Sequence, residues 1–474
     1  MYFKVKSKIL FRQYNEYGYI TDNCMFGYKI LNEDVPTPGE KYVSESAAVM
    51  LSSLSKKPQY IDDIVEKLLD IFEGVEYEEL KQDTVEFFMQ LVDEGFLSYG
   101  ESVDKCNNCD NVTILDEIER NPEKSVVVKE DCSRDIFNQN DFLRSIHIEI
   151  ANECNERCIH CYIPHELKNK VIDTDLFYQI IEDGRAMNVI NVTISGGEPL
   201  LHKNFLNFLV RCRELDLSVN VLTNLTMLTD EIISEMKKNP LLSVQTSIYS
   251  MNPIIHDTIT KVEGSFEKTK NSVLKLCIAG IPVQISCPIM KQNKDSFMDV
   301  IEWGNKNNIQ VAIDYVIFAE YDNSNRNLVN RLSLEEVEEI FDKQISEEYA
   351  KTLNEIARDK CEFTANDPIC TICRYYLCVS AEGEVFPCVG WQTNKIGNLN
   401  RNSIKEIWET SEKIKDLRQI KRNSFLECVT CEYRGYCTVC MMCNSNENGD
   451  AFKINDFHCQ IASKMHSKVN EYIK

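Results

Sequence analysis

The sequence predicts an α/β protein in three parts. A small winged-helix-like domain covers residues 1–100, a barrel of alternating strands and helices covers 145–345, and a cysteine-dense domain covers 370–474. A bridge at 101–144 and a linker helix at 346–369 join them. Three observations carry this reading. Between residues 145 and 316, short runs of period two alternate with longer runs of helical period, as in a parallel sheet with crossover helices. The first hundred residues instead run strand, strand, helices, strand. Ten of the 21 cysteines fall between residues 370 and 459, too dense and too regularly spaced for ordinary core thiols. A chain of 474 residues also exceeds one ordinary core, so several domains are expected.

In the first domain, Met1–Phe11, Gly18–Thr21 and Met25–Leu31 read as strands, with the polar turn Asn15-Glu16-Tyr17-Gly18 closing a hairpin between the first two. Ser44–Ser53 reads as a helix, Ser44 being its cap and Glu45 lying in its first turn. Tyr60–Phe72 repeats Ile61, Ile64, Leu68, Leu69 and Phe72 at helical spacing, and Tyr77–Glu94 repeats Leu80, Val85, Phe88, Leu91 and Val92. Gly95-Phe96-Leu97 closes on a strand-like end. Many winged helices bind DNA, but here the Lys56-Lys57 pair is surrounded by Asp62, Asp63, Glu66, Asp70, Glu73 and Glu76, which excludes a phosphate-binding face.

In the bridge, Lys105-Cys106-Asn107-Asn108-Cys109-Asp110 reads as a polar loop. A lone CxxC can be a redox pair, half a metal site or an inert pair, and the inert pair is preferred. Val112–Ile118 reads as a short helix and Ser125–Val128 as a strand, while Cys132 has no partner nearby in sequence.

The barrel strands are expected at Ser145–Ala151, Asn191–Ser195, Ser218–Thr223, Ser243–Tyr249, Pro282–Pro288 and Gln310–Val316. The helices are expected at Thr174–Met187, Asn204–Leu215, Asp230–Lys238, Ser265–Ala279 and Ser296–Asn307. Ligands of such a barrel sit at the carboxyl ends of its strands. The residues there are Cys154 to Cys161, Gly196 to Glu198, Thr223-Asn224, Gln245 to Ser247, and Ser286 to Pro288. Cys212 and Cys277 lie in helices and read as packing. Leu332–Ala357 reads as one long charged helix leading to the last domain.

Composition narrows the function classes. Lys plus Arg number 52 against 75 Asp plus Glu, a net charge of −23 that leaves no surplus to neutralise phosphates and argues against nucleic acid as a partner. The N-terminus lacks the apolar core of a signal peptide, and no run of eighteen apolar residues occurs. The expectation is a cytoplasmic chain with no membrane partner, whose cysteines serve metal sites in a reducing compartment.

Cys154, Cys158 and Cys161 follow the first barrel strand at x3 and x2 spacing. Thiolates are soft ligands suited to iron–sulfur clusters or zinc. A trio this close can hold three corners of a cubane cluster and leave its fourth iron open, whereas zinc would require a fourth ligand for which His160 is crowded by its neighbours. In the last domain the thiols run Cys370-x2-Cys373, then x9-Gly383-x4-Cys388, then Cys428-x2-Cys431-x5-Cys437-x2-Cys440-x2-Cys443, and finally Cys459. A hairpin turn at Ala381-Glu382-Gly383-Glu384 would let Cys373 and Cys388 converge; a structural zinc domain is the competing reading.

CxxxCxxC with Tyr162 behind it, followed by Ser195-Gly196-Gly197-Glu198-Pro199 after the second strand, resembles the radical S-adenosylmethionine enzymes. That resemblance implies a partial (β/α)6 TIM-like barrel and an S-adenosylmethionine cofactor on the cluster of Cys154, Cys158 and Cys161. The Gly196–Pro199 segment would hold the methionine end of the cofactor, beside Tyr162. Asn224 and Ser247 would contact its ribose or amino-acid part, unless they only cap the helices that follow. The cysteine-dense segment resembles the SPASM extension, which implies two auxiliary clusters and so three [4Fe-4S] clusters per chain. On that pattern Cys373 and Cys388, with Cys370 as an extra ligand, belong to the nearer cluster, and Cys428, Cys431, Cys437 and Cys459 to the outer one. The spacing departs from the pattern at Cys440 and Cys443, and either can complete the nearer cluster.

The first hundred residues are similar in architecture and position to leader-peptide recognition domains, in which a peptide adds a strand to a sheet edge. A structural cap on the barrel is the plainer alternative. The run Lys413, Lys415, Arg418, Lys421 and Arg422 would meet an acidic peptide or form a solvated helix face.

Together these resemblances imply a maturase of ribosomally synthesised precursor peptides, each with leader and core, served by a reductant such as flavodoxin or ferredoxin. They imply reductive cleavage of the cofactor to a 5′-deoxyadenosyl radical that takes hydrogen from an unactivated carbon. Thioether formation between a peptide cysteine and carbon, of the sactipeptide or ranthipeptide type, is the favoured product. Epimerisation, for which Cys277, Cys287 and Cys378 are unassigned thiols, and carbon–carbon crosslinking are the alternatives. Anaerobic sulfatase maturation does not need the first hundred residues. An iron–sulfur peptide-binding scaffold without catalysis is opposed by the intact CxxxCxxC and Gly-Gly-Glu-Pro motifs.

Overall fold

The computed structural model describes residues 1–23, 38–111, 142–167 and 169–473. The expected strand Met25–Leu31, the expected elements Val112–Ile118 and Ser125–Val128, and Cys132 lie outside the described residues.

The expected first strand is two strands. β1 (Tyr2–Val5) and β2 (Leu10–Gln13) are separated by a tight turn in which Ile9 N–H donates to Lys6 O at 3.0 Å. The polar Lys6-Ser7-Lys8 stretch breaks the apolar alternation and sends the halves to different sheets. β1 lies between β5 (Gln59–Tyr60) and β6 (Leu97–Gly100), antiparallel to both. β2, β3 (Tyr17–Thr21) and β4 (Glu40–Ser44) form a second antiparallel sheet, with Gln13 opposite Gly18 across the expected hairpin. Helices α1 (Glu45–Ser52), α2 (Ile61–Leu69) and α3 (Tyr77–Asp93) follow, and Ser44 caps α1 by accepting from Ala47 N–H at 3.4 Å. Their apolar faces close one core with Phe3, Ile61, Ile64, Leu68, Leu80, Phe88 and Leu91 buried.

The Cys106 segment is not the loop expected. Val103–Asn108 is a short helix, α4, capped by Ser102, and it packs on β6 and β1. Cys106 is buried with its thiol toward Ser98 O at 3.6 Å, and Asp110 accepts from Ser7 N–H at 2.8 Å. Local capping and tertiary packing outweigh the polar composition there.

The barrel strands are β7 (Ser145–Ala151), β8 (Asn191–Gly196), β9 (Ser218–Leu222), β10 (Leu242–Ser247), β11 (Val283–Pro288) and β12 (Gln310–Asp314). Neighbours pair in parallel in that order. The expected helices form at Thr174–Ala186, Phe205–Glu214, Asp230–Lys237, Ser265–Ile278 and Phe297–Lys306. One further helix, Pro253–Thr260, was not expected; Pro253 starts it and the Asn252 side chain accepts from Ile254 N–H at 3.0 Å. Fully buried Ile146, Ile148, Ile150, Val192, Ile194, Val219, Val221, Val244 and Ile285 alternate with polar positions along their strands, which is why the strands read at period two.

The long helix expected over Leu332–Ala357 is two, Leu334–Gln344 and Glu347–Cys361. Ile345 turns extended, and Ser346 caps the second by accepting from Tyr349 N–H at 3.2 Å. The chain then adds β13 (Tyr376–Val379) in parallel to β7, with β14 (Glu384–Phe386) and β15 (Gly397–Asn398) antiparallel beyond it. The last domain thus continues the barrel sheet past its first strand, giving nine strands among the described residues.

The first domain grips the amino ends of the barrel strands. Arg12, 1% exposed, donates to Val189 O at 3.1 Å and Asp216 O at 2.5 Å. Asn188 donates to Gln13 O at 2.8 Å, and Arg144 donates to Tyr19 at 2.6 Å and pairs with Glu40 at 3.4 Å. Leu10, Tyr14, Tyr19, Ile190 and Leu241 close an apolar cluster between them. Among the described residues no helix is long and apolar enough to cross a membrane.

Candidate active site at the carboxyl end of the barrel

The loop leaving β7 carries Cys154, Cys158 and Cys161, each half-buried. Arg157 N–H donates to Thr260 O and Ile159 N–H to Ile259 O, both at 3.0 Å. Asn327 Nδ2 donates to Phe318 O at 2.7 Å, His160 O at 3.1 Å and Cys161 O at 3.4 Å, and Asn330 Nδ2 donates to Ile159 O at 2.9 Å. The loop is therefore held largely by side chains and carbonyls outside it, with Glu156 N–H to Cys154 Sγ at 3.4 Å added within it. Tyr249 Oη lies 3.9 Å from Cys158 Sγ, and the Cys158 thiol donates to Glu156 at 3.4 Å. Burial first, then the neighbouring Glu156, Cys161 and Cys154, holds Cys158 well above the ordinary thiol range.

Gly196 and Gly197 lie against this loop. A Cβ at Gly196, whose φ is +130°, would stand 1.8 Å from Ala151 O, and one at Gly197 would stand 2.2 Å from Glu153 O. Only hydrogen fits, which lets Gly197 N–H donate to Ala151 O at 2.6 Å and Glu198 N–H to Glu153 O at 2.8 Å. The Glu198 carboxylate turns inward. It accepts from Leu200 N–H at 2.9 Å, Thr223 at 2.6 Å and Asn224 N–H at 2.7 Å, and burial pushes its carboxyl up to about 7. Glu198 thus fixes the backbone beside the thiols, and Pro199 begins the single turn that follows.

Asn224 reaches the same loop. Its Nδ2 donates to Asn155 at 2.8 Å and lies 3.9 Å from Cys154 Sγ, while its Oδ1 accepts from Thr226 N–H at 2.9 Å. Ser247 is half-buried at the end of β10 and hydrogen-bonds to Tyr249. Tyr162 donates to Glu149 at 3.2 Å.

The later thiols form two sets. Burial first, with Cys440 and Cys370 adding, pushes Cys388 up to about 11. Burial, with Cys370 and Cys388 adding, pushes Cys373 up to about 12, and Cys440 adds to the burial that raises Cys370. These four thiols are neighbours. Cys443 is buried and shares a hydrogen bond with Cys440, an interaction that lowers Cys440 and raises Cys443. Cys373 sits at φ +57°, a conformation a non-glycine residue adopts only when its surroundings hold it there. The other set, Cys428, Cys431, Cys437 and Cys459, lines a cavity of about 400 Å³ with Phe363 and Val429 among its walls. Among the described residues no group of three or more His, Cys, Asp or Glu side chains is arranged to hold a single metal ion. A four-iron cluster is a larger body, and a thiol-lined cavity of this size fits one.

Sequence reasoning placed Thr223 at the site but did not find Glu149, Tyr249, Asn327, Asn330 or Gln392. None belongs to a spacing motif. The one available signal was a charged residue, Glu149, between Ile148 and Ile150 in a strand whose neighbours on both sides are buried.

Residues 148–304 match the radical SAM superfamily, residues 370–444 the SPASM iron-sulfur cluster-binding domain, and residues 35–97 the coenzyme PQQ synthesis protein D family. The chain is 24% identical over 324 residues to an AdoMet-dependent heme synthase of Methanosarcina barkeri, covering 63% of this chain and 90% of that one. It is 30% identical over 164 residues to the sporulation killing factor maturation protein SkfB of Bacillus subtilis, covering 33% of this chain and 38% of that one. The crystal structure of Streptococcus suis SuiB bound to precursor peptide SuiA superposes with a TM-score of 0.63 at 15% identity, over 97% of this chain and 100% of that one.

Proposed function

We propose that this chain, a radical S-adenosylmethionine enzyme with a SPASM domain and a PqqD-like amino-terminal domain, matures a ribosomally made precursor peptide by joining a cysteine sulfur to carbon as a thioether. One observation carries the reading most. β13 pairs directly with β7, and Gln392, four residues past Cys388, donates to Glu149 of β7, so the thiol-bearing last domain is built onto the barrel's own sheet beside the strand that feeds the Cys154–Cys161 loop. A site that must abstract hydrogen and then dispose of an electron benefits from that adjacency. The likeness to a protein solved with its precursor peptide, and to a maturation protein, supports a peptide substrate.

Cys154, Cys158 and Cys161 hold the cluster that takes S-adenosylmethionine, beside Gly196, Gly197, Glu198, Pro199, Asn224, Ser247 and Tyr162. Cys370, Cys373, Cys388 and Cys440 hold the nearer auxiliary cluster, and Cys443 supports Cys440 by hydrogen bonding. Cys428, Cys431, Cys437 and Cys459 hold the outer one. When bound, these groups supply one-electron reduction, hydrogen abstraction and an electron sink. The chain's own residues shape the loop, orient the cofactor and exclude water.

The first domain binds the leader. β2 is committed to the barrel through Arg12 and Gln13, while β4 pairs with no strand on its outer side among the described residues and is the edge for an added strand. For epimerisation, the thiols Cys287 and Cys378 would serve as hydrogen donors, and both are fully buried.

The experiment is mass spectrometry of a small cysteine-containing peptide encoded beside this chain and co-expressed with it. Each thioether lowers the mass by two hydrogens and removes one alkylable thiol. An unchanged mass with deuterium taken from solvent indicates epimerisation, and a two-hydrogen loss with every thiol alkylable indicates a carbon–carbon link. The reconstituted chain should carry about twelve irons, four per cluster; about four irons, or stoichiometric zinc, would remove the auxiliary pair.

A further inference from the structure

Glu149 projects from β7 five residues before the first cysteine of the barrel loop, and it is 3% exposed. Each of its oxygens has a different partner. Oε1 accepts from Tyr162 Oη at 3.2 Å, and Oε2 accepts from Gln392 Nε2 at 2.5 Å. Tyr162 directly follows Cys161, and its carbonyl accepts from Tyr321 N–H at 3.0 Å. Gln392 lies four residues past Cys388, in a turn closed by Trp391 N–H donating to Cys388 O at 3.0 Å. The same turn is held from its other side, where Asn446 Nδ2 donates to Gly390 O at 2.8 Å. Asn446 belongs to the helix Met441–Asn448, whose cap residue is Cys440. One buried carboxylate therefore connects the loop of Cys154–Cys161 to the turn of Cys388 and, through that turn, to the helix that begins at Cys440.

We propose that Glu149 is a positioning residue that fixes the offset between the barrel's thiol loop and the turn of Cys388, and with it the separation of the two clusters those thiols hold. The proposal rests on assigning the two thiol sets to clusters; the nature of the peptide product plays no part in it. The chemistry of the side chain suits the task. A carboxylate offers two acceptors about 2 Å apart on a rigid fork, which two donors from different domains can share. Glutamine at this position retains both links, because its oxygen accepts from Gln392 and its amide donates to the Tyr162 hydroxyl, which can accept as well as donate. Alanine retains neither. Burial also pushes the Glu149 carboxyl up to about 7, so the tie holds with a carboxylate already strained by its apolar surroundings.

The test compares Glu149→Ala, Glu149→Gln and Gln392→Ala with the natural chain, each reconstituted anaerobically with iron and sulfide and assayed for both. Hydrogen exchange is read by mass spectrometry over residues 158–163 and 386–392, and low-temperature electron paramagnetic resonance is recorded after dithionite reduction. Glu149→Ala is expected to speed exchange in both segments together by about tenfold and to alter the magnetic interaction between the reduced clusters, while Glu149→Gln stays within about twofold on both. Gln392→Ala is expected to loosen both segments as well, and it decides the matter if Glu149→Ala fails to take up iron. Loosening confined to one segment, unchanged exchange in Glu149→Ala, or a Glu149→Gln variant as loose as Glu149→Ala would overturn the proposal. A natural chain that takes up no iron would break the cluster assignment instead, and the exchange comparison then reports on the tie in iron-free protein.

Discussion

The barrel loop and the outer thiol set hold their cysteines in opposite ways. Around Cys154–Cys161 the backbone is pinned by Asn327, Asn330 and two main-chain bonds to the 259–260 segment, with Glu156 N–H to Cys154 Sγ as a local addition. Around Cys428–Cys459 the chain runs through the four-residue helix Leu426–Val429 and the single turn Arg434–Tyr436, and its thiols face a cavity. The first region is pinned by side chains from beyond the loop, whereas the second, held by Arg434 to Val429 O and Cys361 O, opens its thiols on a cavity that their ligand would fill. Where a site is not formed in the unfolded chain, binding energy becomes folding energy. Losing the cluster should therefore cost activity in one region and stability in the other.

The strongest test of that contrast is the triple change Cys154→Ala, Cys158→Ala and Cys161→Ala. Formation of 5′-deoxyadenosine should fall by more than about a thousandfold, the loss expected when the group supplying the chemistry is removed. The melting temperature should stay close to that of the natural chain. An unfolded triple variant would break the comparison. Next in size, Cys428→Ala with Cys459→Ala should release iron and make residues 421–473 sensitive to protease, with residues 145–314 still protected. Equal protection of both segments would count against the outer region's dependence on its ligand.

Gly196→Ala sharpens the same contrast from the protein side. Its Cβ would meet Ala151 O at 1.8 Å from a backbone at φ +130°, so a loss of about 3 kcal/mol or more is expected from strain and overlap together. Denaturant titration measures it, and a neutral result would show that the loop yields easily. Asn327→Leu is milder. Three carbonyls lose one shared donor, for about 1–3 kcal/mol, and the affinity for S-adenosylmethionine should weaken with it.

The smallest effect is a pH dependence. Glu149 and Glu198 are both raised by burial from 4.5 to about 7. Between those values the folded chain keeps protons that the unfolded chain has released, so their contribution to stability falls as pH rises through that window and levels off above it. Melting temperatures at steps from pH 5 to pH 8 should show the decline, reduced in Glu149→Gln because one of the two groups no longer titrates. A rising profile in the natural chain that the variant shares would assign the dependence to other groups.

The barrel was legible because its strands run at period two and its helices are long and amphipathic, and all six strands lie where those patterns place them. What escaped was local. Lys6-Ser7-Lys8 splits an apparently continuous first strand, and Ile345-Ser346 splits a helix whose charge pattern runs straight through. Val103–Asn108 folds as a helix because β1 and β6 offer it a surface. The thiol motifs were legible from spacing alone, with one ambiguity. Cys440 and Cys443 follow equal gaps, and only tertiary structure sets Cys440 beside Cys370 and Cys388 while Cys443 stands behind it. The pairing of Glu149 with Gln392 spans 243 positions and has no local signature.

The first domain is attached to the amino ends of the barrel strands, and the thiol loop is at their carboxyl ends. β7 alone has seven residues, a height of roughly 20 Å at the rise of an extended strand. A peptide anchored on the β4 edge, as proposed, would have to cover at least that span before any of its residues could react. In extended form this uses about six or seven residues, and more on a path around the outside of the barrel. On that proposed anchoring the enzyme would work as a ruler: residues close to the anchor would be out of reach, and the count of residues before a position would decide first whether it is altered.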